Sequence, residues 1–230
     1  IAYDNTGAST TSVPASVTVT ASGTSSVNVA LASNGGVASA SSTYSSNYAP
    51  PSVINGDRKG LAWGAGGGWN DASPVTYPRW IQVAFASAKT IGEIDVFTLQ
   101  DNYSAPSEPT ASMTFSLYGI TAFQVQYWTG ATWADVPGGN VSGNNLVWRK
   151  ITFTPITTDR IRVLVNNALA TYARITEIEA WTTAGVPTNV PPTVSLTSPA
   201  NGTSFTAPAM VSLAATAADA DGTINRVEFY

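Results

Sequence analysis

The chain has no cysteine and no histidine, and only 10% of its 230 residues are charged. Each shortage removes a class of chemistry. Without cysteine there are no disulfides and no thiolate metal site. Without histidine there is no Ser-His-Asp triad and no histidine-bound zinc. Lysine and arginine total 10 against 14 acids, for a net charge of -4. Nucleic-acid recognition needs clustered cations, and the pair Arg58-Lys59 is too small a cluster, so no nucleic-acid partner is expected. No apolar run reaches the ~18 residues of a membrane span, so no membrane insertion is expected. Helix signals are nearly missing too: no segment sustains apolar residues at i, i+3, i+4 and i+7 between caps. No secretory leader is visible, and the opening Ile1-Ala2-Tyr3 reads as the middle of a longer protein.

What is present is strand pattern. Hydrophobic residues make up 43% of the chain, enough for a core. Alternation runs through Val17-Thr18-Val19-Thr20, Trp80-Ile81-Gln82-Val83-Ala84-Phe85, Phe123-Gln124-Val125-Gln126-Tyr127-Trp128 and Ile161-Arg162-Val163-Leu164-Val165. Gly, Pro, Asn or Ser bound many of these runs. Short strands with frequent turns predict an all-β sandwich or barrel.

Composition divides the chain into three. Residues 1–22 read as two strands, Ile1 to Asp4 and Ala15 to Thr20. Residues 23–186 hold all seven tryptophans and form the main domain. Residues 187–230 begin with a proline-stiffened linker, and Thr193 to Leu196, Met210 to Ala215 and Ile224 to Tyr230 read as strands. Two or three strands cannot bury a sandwich core, so the end pieces are expected to be partial domains.

The end pieces resemble the last two and first three strands of a bacterial Ig-like repeat. Neighbouring copies could complete each other there by strand addition. The central block carries a second resemblance. An Ala/Ser-rich opening leads to Val53-Ile54-Asn55-Gly56-Asp57 and then Trp63. The strands "WIQVAF" (80–85), "FQVQYWTGATWADV" (123–136), "RIRVLV" (160–165) and "RITEIEAW" (174–181) follow in order. This ordered set resembles the discoidin, or coagulation factor 5/8 type C, domain, and among its branches the family 32 carbohydrate-binding modules. The resemblance implies an eight-stranded jelly-roll β-sandwich, flanked here by partial Ig-like strands.

It also implies a structural calcium (Ca2+) site. Side chains of Asn55, Asp57 and Glu177 would supply oxygens, with carbonyls from Ser52, Gly60 and Thr176. Calcium favours several oxygens with some carboxylate charge. Asn55 stands where many members have Asp, which removes one charge, and Gly60 where many have Thr. Taken alone, Asn55-Gly56-Asp57 is equally a good turn and Glu177 a solvated strand residue.

Sugar sites pair an aromatic platform with planar polar groups. In the resembled family the site lies on loops at one end of the sandwich. Four long loops have such composition: Tyr44 to Asn47, Gly64 to Tyr77, Asp101 onward to Pro109, and Asn166 to Tyr172. The candidate carbohydrate contacts are Trp69, Asn70, Asp71, Asp101, Asn102, Tyr103, Asn166 and Tyr172. Trp69 leads because Gly66-Gly67-Gly68 takes it out of regular backbone, although such a ring also packs back over a sandwich end. The other tryptophans, 63, 80, 128, 133, 148 and 181, sit in or beside strands and are mostly expected in the core. The pairs Glu93/Asp95 and Glu177/Glu179 read as solvated strand faces rather than the facing carboxylates of a glycosidase. The expected function is therefore non-catalytic: glycan or polysaccharide binding within a secreted or cell-surface bacterial protein. A structural or adhesive bead, assembled through the Ig-like segments without any glycan, is the alternative.

Overall fold

A computed structural model describes residues 2–3, 9–10, 26–183, 192–206, 208–219, 223–224 and 226–229. The chain forms two compact units, Ser26–Ala184 and a second made of Ile1–Ser25 and Gly185–Tyr230. The strands in chain order are β1 (Ala2–Tyr3), β2 (Ser9–Thr10), β3 (Val37–Ala40), β4 (Trp69–Asn70), β5 (Arg79–Thr98), β6 (Ile120–Trp128), β7 (Trp133–Val141), β8 (Trp148–Ala168), β9 (Arg174–Thr182), β10 (Thr193–Ser198) and β11 (Ala214–Ala218).

The larger unit is an antiparallel sandwich of the expected discoidin type. Its ladder order is β4-β9-β5-β8-β6-β7, with β3 beside β5. β5 and β8 are long because each passes through both layers. Their pairing is interrupted between Ala84 and Lys89, and there the sheet folds over. The first half of β5 sends Ile81, Val83 and Phe85 inward by simple alternation. In the second half a register shift at Gly92 resets the alternation, so Ile91, Ile94 and Val96 all face the core. A Cβ on Gly92 would lie 2.5 Å from Thr183 Cγ2, which is why glycine sits at the shift. Ile161, Val163 and Val165 of β8, Phe123 and Val125 of β6, and Ile175, Ile178 and Ala180 of β9 complete the core. Each fully buried Val, Ile or Phe side chain among them contributes about 1.5–3 kcal/mol by leaving water.

A bulge in β9 positions the candidate metal turn. Phe97 pairs with Glu177 but Thr98 pairs with Ile175, so Thr176 is the extra residue. The kink turns Glu177 toward the turn after the short 3-10 helix Pro50–Ile54.

In the smaller unit, β1 pairs with β2 and β10 with β11, both antiparallel. β10 covers the strand expected at Thr193 to Leu196. The strand expected at Met210 to Ala215 begins later, at Ala214, where β10 offers ladder partners. The described residues of Ile224 to Tyr230 form no ladder. The strand expected at Ala15 to Thr20 and the linker up to Pro191 lie outside the described residues.

Candidate functional site

The turn Asn55-Gly56-Asp57 is tied to β9 across about 120 residues of sequence. The backbone N–H groups of Asn55 and Gly56 donate to the Glu177 carboxylate at 3.2 and 3.1 Å. Thr176 Oγ1 donates to the Arg58 carbonyl at 3.0 Å, and the Arg58 guanidinium forks onto Glu179 at 2.7 and 2.8 Å. Gly56 adopts φ +87 and Gly60 φ +74, and a Cβ on Gly60 would lie 2.6 Å from Thr176 Cγ2. The structure thus gathers Asn55, Gly60, Thr176 and Glu177. Asp57 turns back on its own loop, accepting N–H bonds from Lys59 and Leu61. Ser52 lies in the 3-10 helix that leads into the turn.

Glu177 is not a solvated strand residue, because its side chain is fully buried. Burial pushes its carboxyl up to about 9, and the Glu179 and Asp57 charges add to the rise against the two N–H bonds. A buried acid among acids is a place where a cation would remove a large electrostatic cost. The oxygens here are carboxylate, amide and carbonyl, the kinds calcium takes. No group of three or more Asp, Glu, His or Cys set for a metal occurs among the described residues. A calcium at this turn would therefore draw on the amide and carbonyl oxygens.

At the loop end, the structure corrects the reading of Trp69. The ring is fully buried, so it cannot serve as an exposed platform. The glycines before it serve close approach. A Cβ on Gly68 would lie 2.7 Å from the Ile175 carbonyl, and one on Gly67 would lie 2.1 Å from that of Leu61. This lets β4 pair with β9 and seats Trp69 in the core, its Nε1 donating to the Ser42 carbonyl at 2.9 Å. The six tryptophans expected mostly in the core are all half-exposed instead.

Trp69 and Asn70 hold the first loop in place. Tyr44 N–H donates to the Asn70 carbonyl at 2.9 Å, and Asn70 itself is buried. Asp71 is fully buried as well. It accepts the Ala173 N–H at 2.9 Å and lies 3.3 Å from Arg79 Nε, an ion pair without hydrogen-bond geometry. Burial raises its carboxyl despite these partners. Asp71 thus anchors a loop and does not face solvent.

What faces solvent is a strip of six aromatic rings. Trp63 packs on Tyr48 (5.2 Å between centroids) and Tyr48 meets Tyr44 edge-on (5.8 Å). Tyr44 in turn meets Tyr172 edge-on (5.7 Å). The Arg174 guanidinium then lies 5.3 Å from the Tyr172 ring and 5.5 Å from that of Tyr118, which meets Tyr103 edge-on. Tyr44 and Tyr103 are exposed, and the other four are half-exposed. Arg174 also donates to the carbonyls of Leu169, Ala170 and Tyr172. Those bonds hold Ala170 (φ +47) and Thr171 (φ +70) in the left-handed region, at about 1–2 kcal/mol each.

Asp101 supports the third loop. Burial opposes its ionisation, but donors from Ser116 and the N–H of Leu117 hold its carboxyl below the usual range. Asn102 closes its own turn on the Ala105 carbonyl at 3.1 Å, and Asn166 is exposed at the far end of β8. Of the expected sugar residues, Tyr103 and Tyr172 join the strip. Tyr44, Tyr48, Trp63, Tyr118 and Arg174 were not among the expected contacts, although Tyr44 opened a loop already chosen for its composition.

The comparisons agree with this architecture. A family model for the F5/8 type C domain matches residues 37–179, and one for a bacterial Ig domain matches residues 192–230. No curated protein matches the chain. Among solved structures, a Streptococcus pneumoniae fucose binding module is 15% identical, with a TM-score of 0.50, covering 68% of this chain and 96% of its own. The family 32 module of Clostridium perfringens NanJ, in complex with galactose, is 18% identical, with a TM-score of 0.48, covering 68% and 98%. Chitosan-binding module 2 of a Paenibacillus chitosanase/glucanase, in complex with chitotriose, is 19% identical, with a TM-score of 0.47, covering 66% and 98%. With its central 143 residues matched and its sandwich built as described, this chain belongs to the F5/8 type C domain family.

Proposed function

We propose that the central domain is a non-catalytic carbohydrate-binding module that takes a glycan on the aromatic strip at its loop end. The observation that carries this reading is the run from Tyr103 through Arg174 and Tyr172 to Tyr44. It offers C–H stacking faces beside polar groups, on loops held by a rigid sandwich. The fucose binding module that shares the fold supports the ligand class. A bound calcium at Asn55, Glu177 and the neighbouring carbonyls would pin the turn to β9 and supply charge to a buried acid. The domain would belong to a larger secreted or cell-surface bacterial protein with Ig-like neighbours. A glycan-array screen of the intact chain tests the reading, run beside Tyr172→Ala and with and without calcium. Weaker glycan binding by the variant supports it, and equal binding of every glycan by both proteins would refute it.

A second reading has an observation of its own. In the smaller unit Val194 and Leu196 of β10 are exposed, as are Met210 and Leu213 ahead of β11, an unusual load of apolar surface for so small a unit. Self-association through these segments would make the chain a bead in an adhesive assembly. A monomer at all concentrations in size-exclusion chromatography would dismiss it.

A further inference from the structure

A second cluster occupies the outer face of the β9–β5–β8 layer and shares no residue with the loop end. Asp95 sits at its centre, directly opposite Glu179 on one side and Lys150 on the other. Although Asp95 is 1% exposed, it floors a cleft of about 430 Å3. Trp148 Nε1 donates to it at 2.8 Å and Trp181 Nε1 at 3.1 Å. Both indole N–H groups therefore point to the floor, and the half-exposed hydrocarbon parts of the rings border the opening. Trp148 has Phe97 stacked on it at 5.5 Å, which fixes its tilt. Lys150 pairs with Glu93 at 2.8 Å on the rim, where both side chains keep solvent access.

The chemistry narrows what such a cleft can hold. Glu179 is spent on the Arg58 fork and also accepts the Trp181 N–H at 3.0 Å. Glu93, Asp95 and Glu179 outnumber Arg58 and Lys150, so a phosphate or other anion is disfavoured. A purely apolar ligand would strand charged groups without water. The carboxylates of the floor already have indole and guanidinium donors, which leaves little for a metal ion. A ring with one C–H face and a fringe of hydroxyls meets every demand. It stacks on an indole and exchanges hydrogen bonds with Glu93 and Lys150. The volume is also in the range of small-ligand sites.

We propose that this cleft is a second saccharide-binding site, taking one pyranose unit between Trp148 and Trp181 with its hydroxyls on Glu93 and Lys150. It shares a ligand class with the loop-end reading but no residue, so either can fail alone. The test is 15N NMR of the tryptophan indole N–H signals of the intact chain, titrated with galactose, fucose and chitotriose. Trp148→Phe and Trp181→Phe assign the two signals, and Tyr172→Ala disables the loop end. The expected result is that at least one probe shifts both signals in the wild type and in Tyr172→Ala. Glu93→Gln, a rim change that spares the core, should weaken that response by about threefold or more, the loss of one modest hydrogen bond. Signals that stay fixed with all three probes, or that move in the wild type but not in Tyr172→Ala, would overturn the proposal. Cleft signals that move while the loop end stays silent uphold it and count against the loop-end reading.

Discussion

Trp69 fills the core and also holds a loop, so truncating it should be costly. Trp69→Ala is expected to remove about 3–5 kcal/mol of stability. Trp69→Phe keeps most of the packing and loses the bond to Ser42, at about 1 kcal/mol. Chemical denaturation of both variants measures the two contributions. If Trp69→Ala left stability unchanged while abolishing glycan binding, the ring would have to be a platform after all. Its misreading has a physical cause. A glycine run suggests a loose loop, but here the missing Cβ atoms let two backbones touch, and that contact buries the ring. Nothing local to residues 66–69 tells close approach from flexibility. The strand tryptophans, expected mostly in the core, are half-exposed, and for two of them the sequence does carry a local sign of it. Trp181 alternates with Glu179 and Glu177, and Trp148 with Lys150, so each shares a face with charge.

At the scale of elements, the loop Leu169–Tyr172 depends on Arg174. Arg174→Ala removes donors to three carbonyls and the cation between Tyr118 and Tyr172, and the strained turn should relax. Affinity for any loop-end glycan should fall by about tenfold, worth about 1.4 kcal/mol, with a smaller loss for Arg174→Lys. Calorimetric titration of the two variants distinguishes that gradient from a uniform loss.

The tie between β9 and the Asn55 turn carries a pH signature. Glu177 titrates near 9 in the fold against an ordinary 4.5, and Asp95 near 6 against 3.8, burial being the main cause for both. Both folded-state values are raised, so the metal-free fold keeps their full contribution below pH 3.8 to 4.5 and loses it as pH climbs toward 6 and 9. Each group adds a slope of up to about 1.4 kcal/mol per pH unit within its window. Glu177→Gln should flatten the alkaline part of a stability profile recorded in chelator. A profile as steep as that of the wild type would contradict the assignment. The turn motif itself was visible in the residues. Its meeting with Glu177 came only through the family resemblance, since strand pairing over that separation leaves no local trace.

For the whole molecule, the strand succession and the sandwich could be read from alternation and turn residues, because period-2 patterning survives without tertiary information. The fold-over of β5 and β8 could not, since both read as separate short runs. Calcium, if it binds the Asn55 turn, acts at this scale. At a hundredfold excess over its dissociation constant it should add about 2.7 kcal/mol, raising the melting temperature by roughly 5–10 °C. At a fixed calcium concentration the rise should be larger at pH 8 than at pH 5, because the proton that Glu177 holds with a pKa of about 9 costs more to displace at the lower pH. A melting curve indifferent to calcium at both pH values would reject the site.

The central claim is that the aromatic strip binds glycan, and Tyr44 is its most exposed ring with two aromatic neighbours. The most direct measurement is the affinity of Tyr44→Ala, by calorimetry, for the best glycan found with the wild type. The account predicts at least about tenfold weaker binding with an unchanged melting temperature, since an exposed ring contributes to contact and little to the core. Affinity equal to that of the wild type would contradict it.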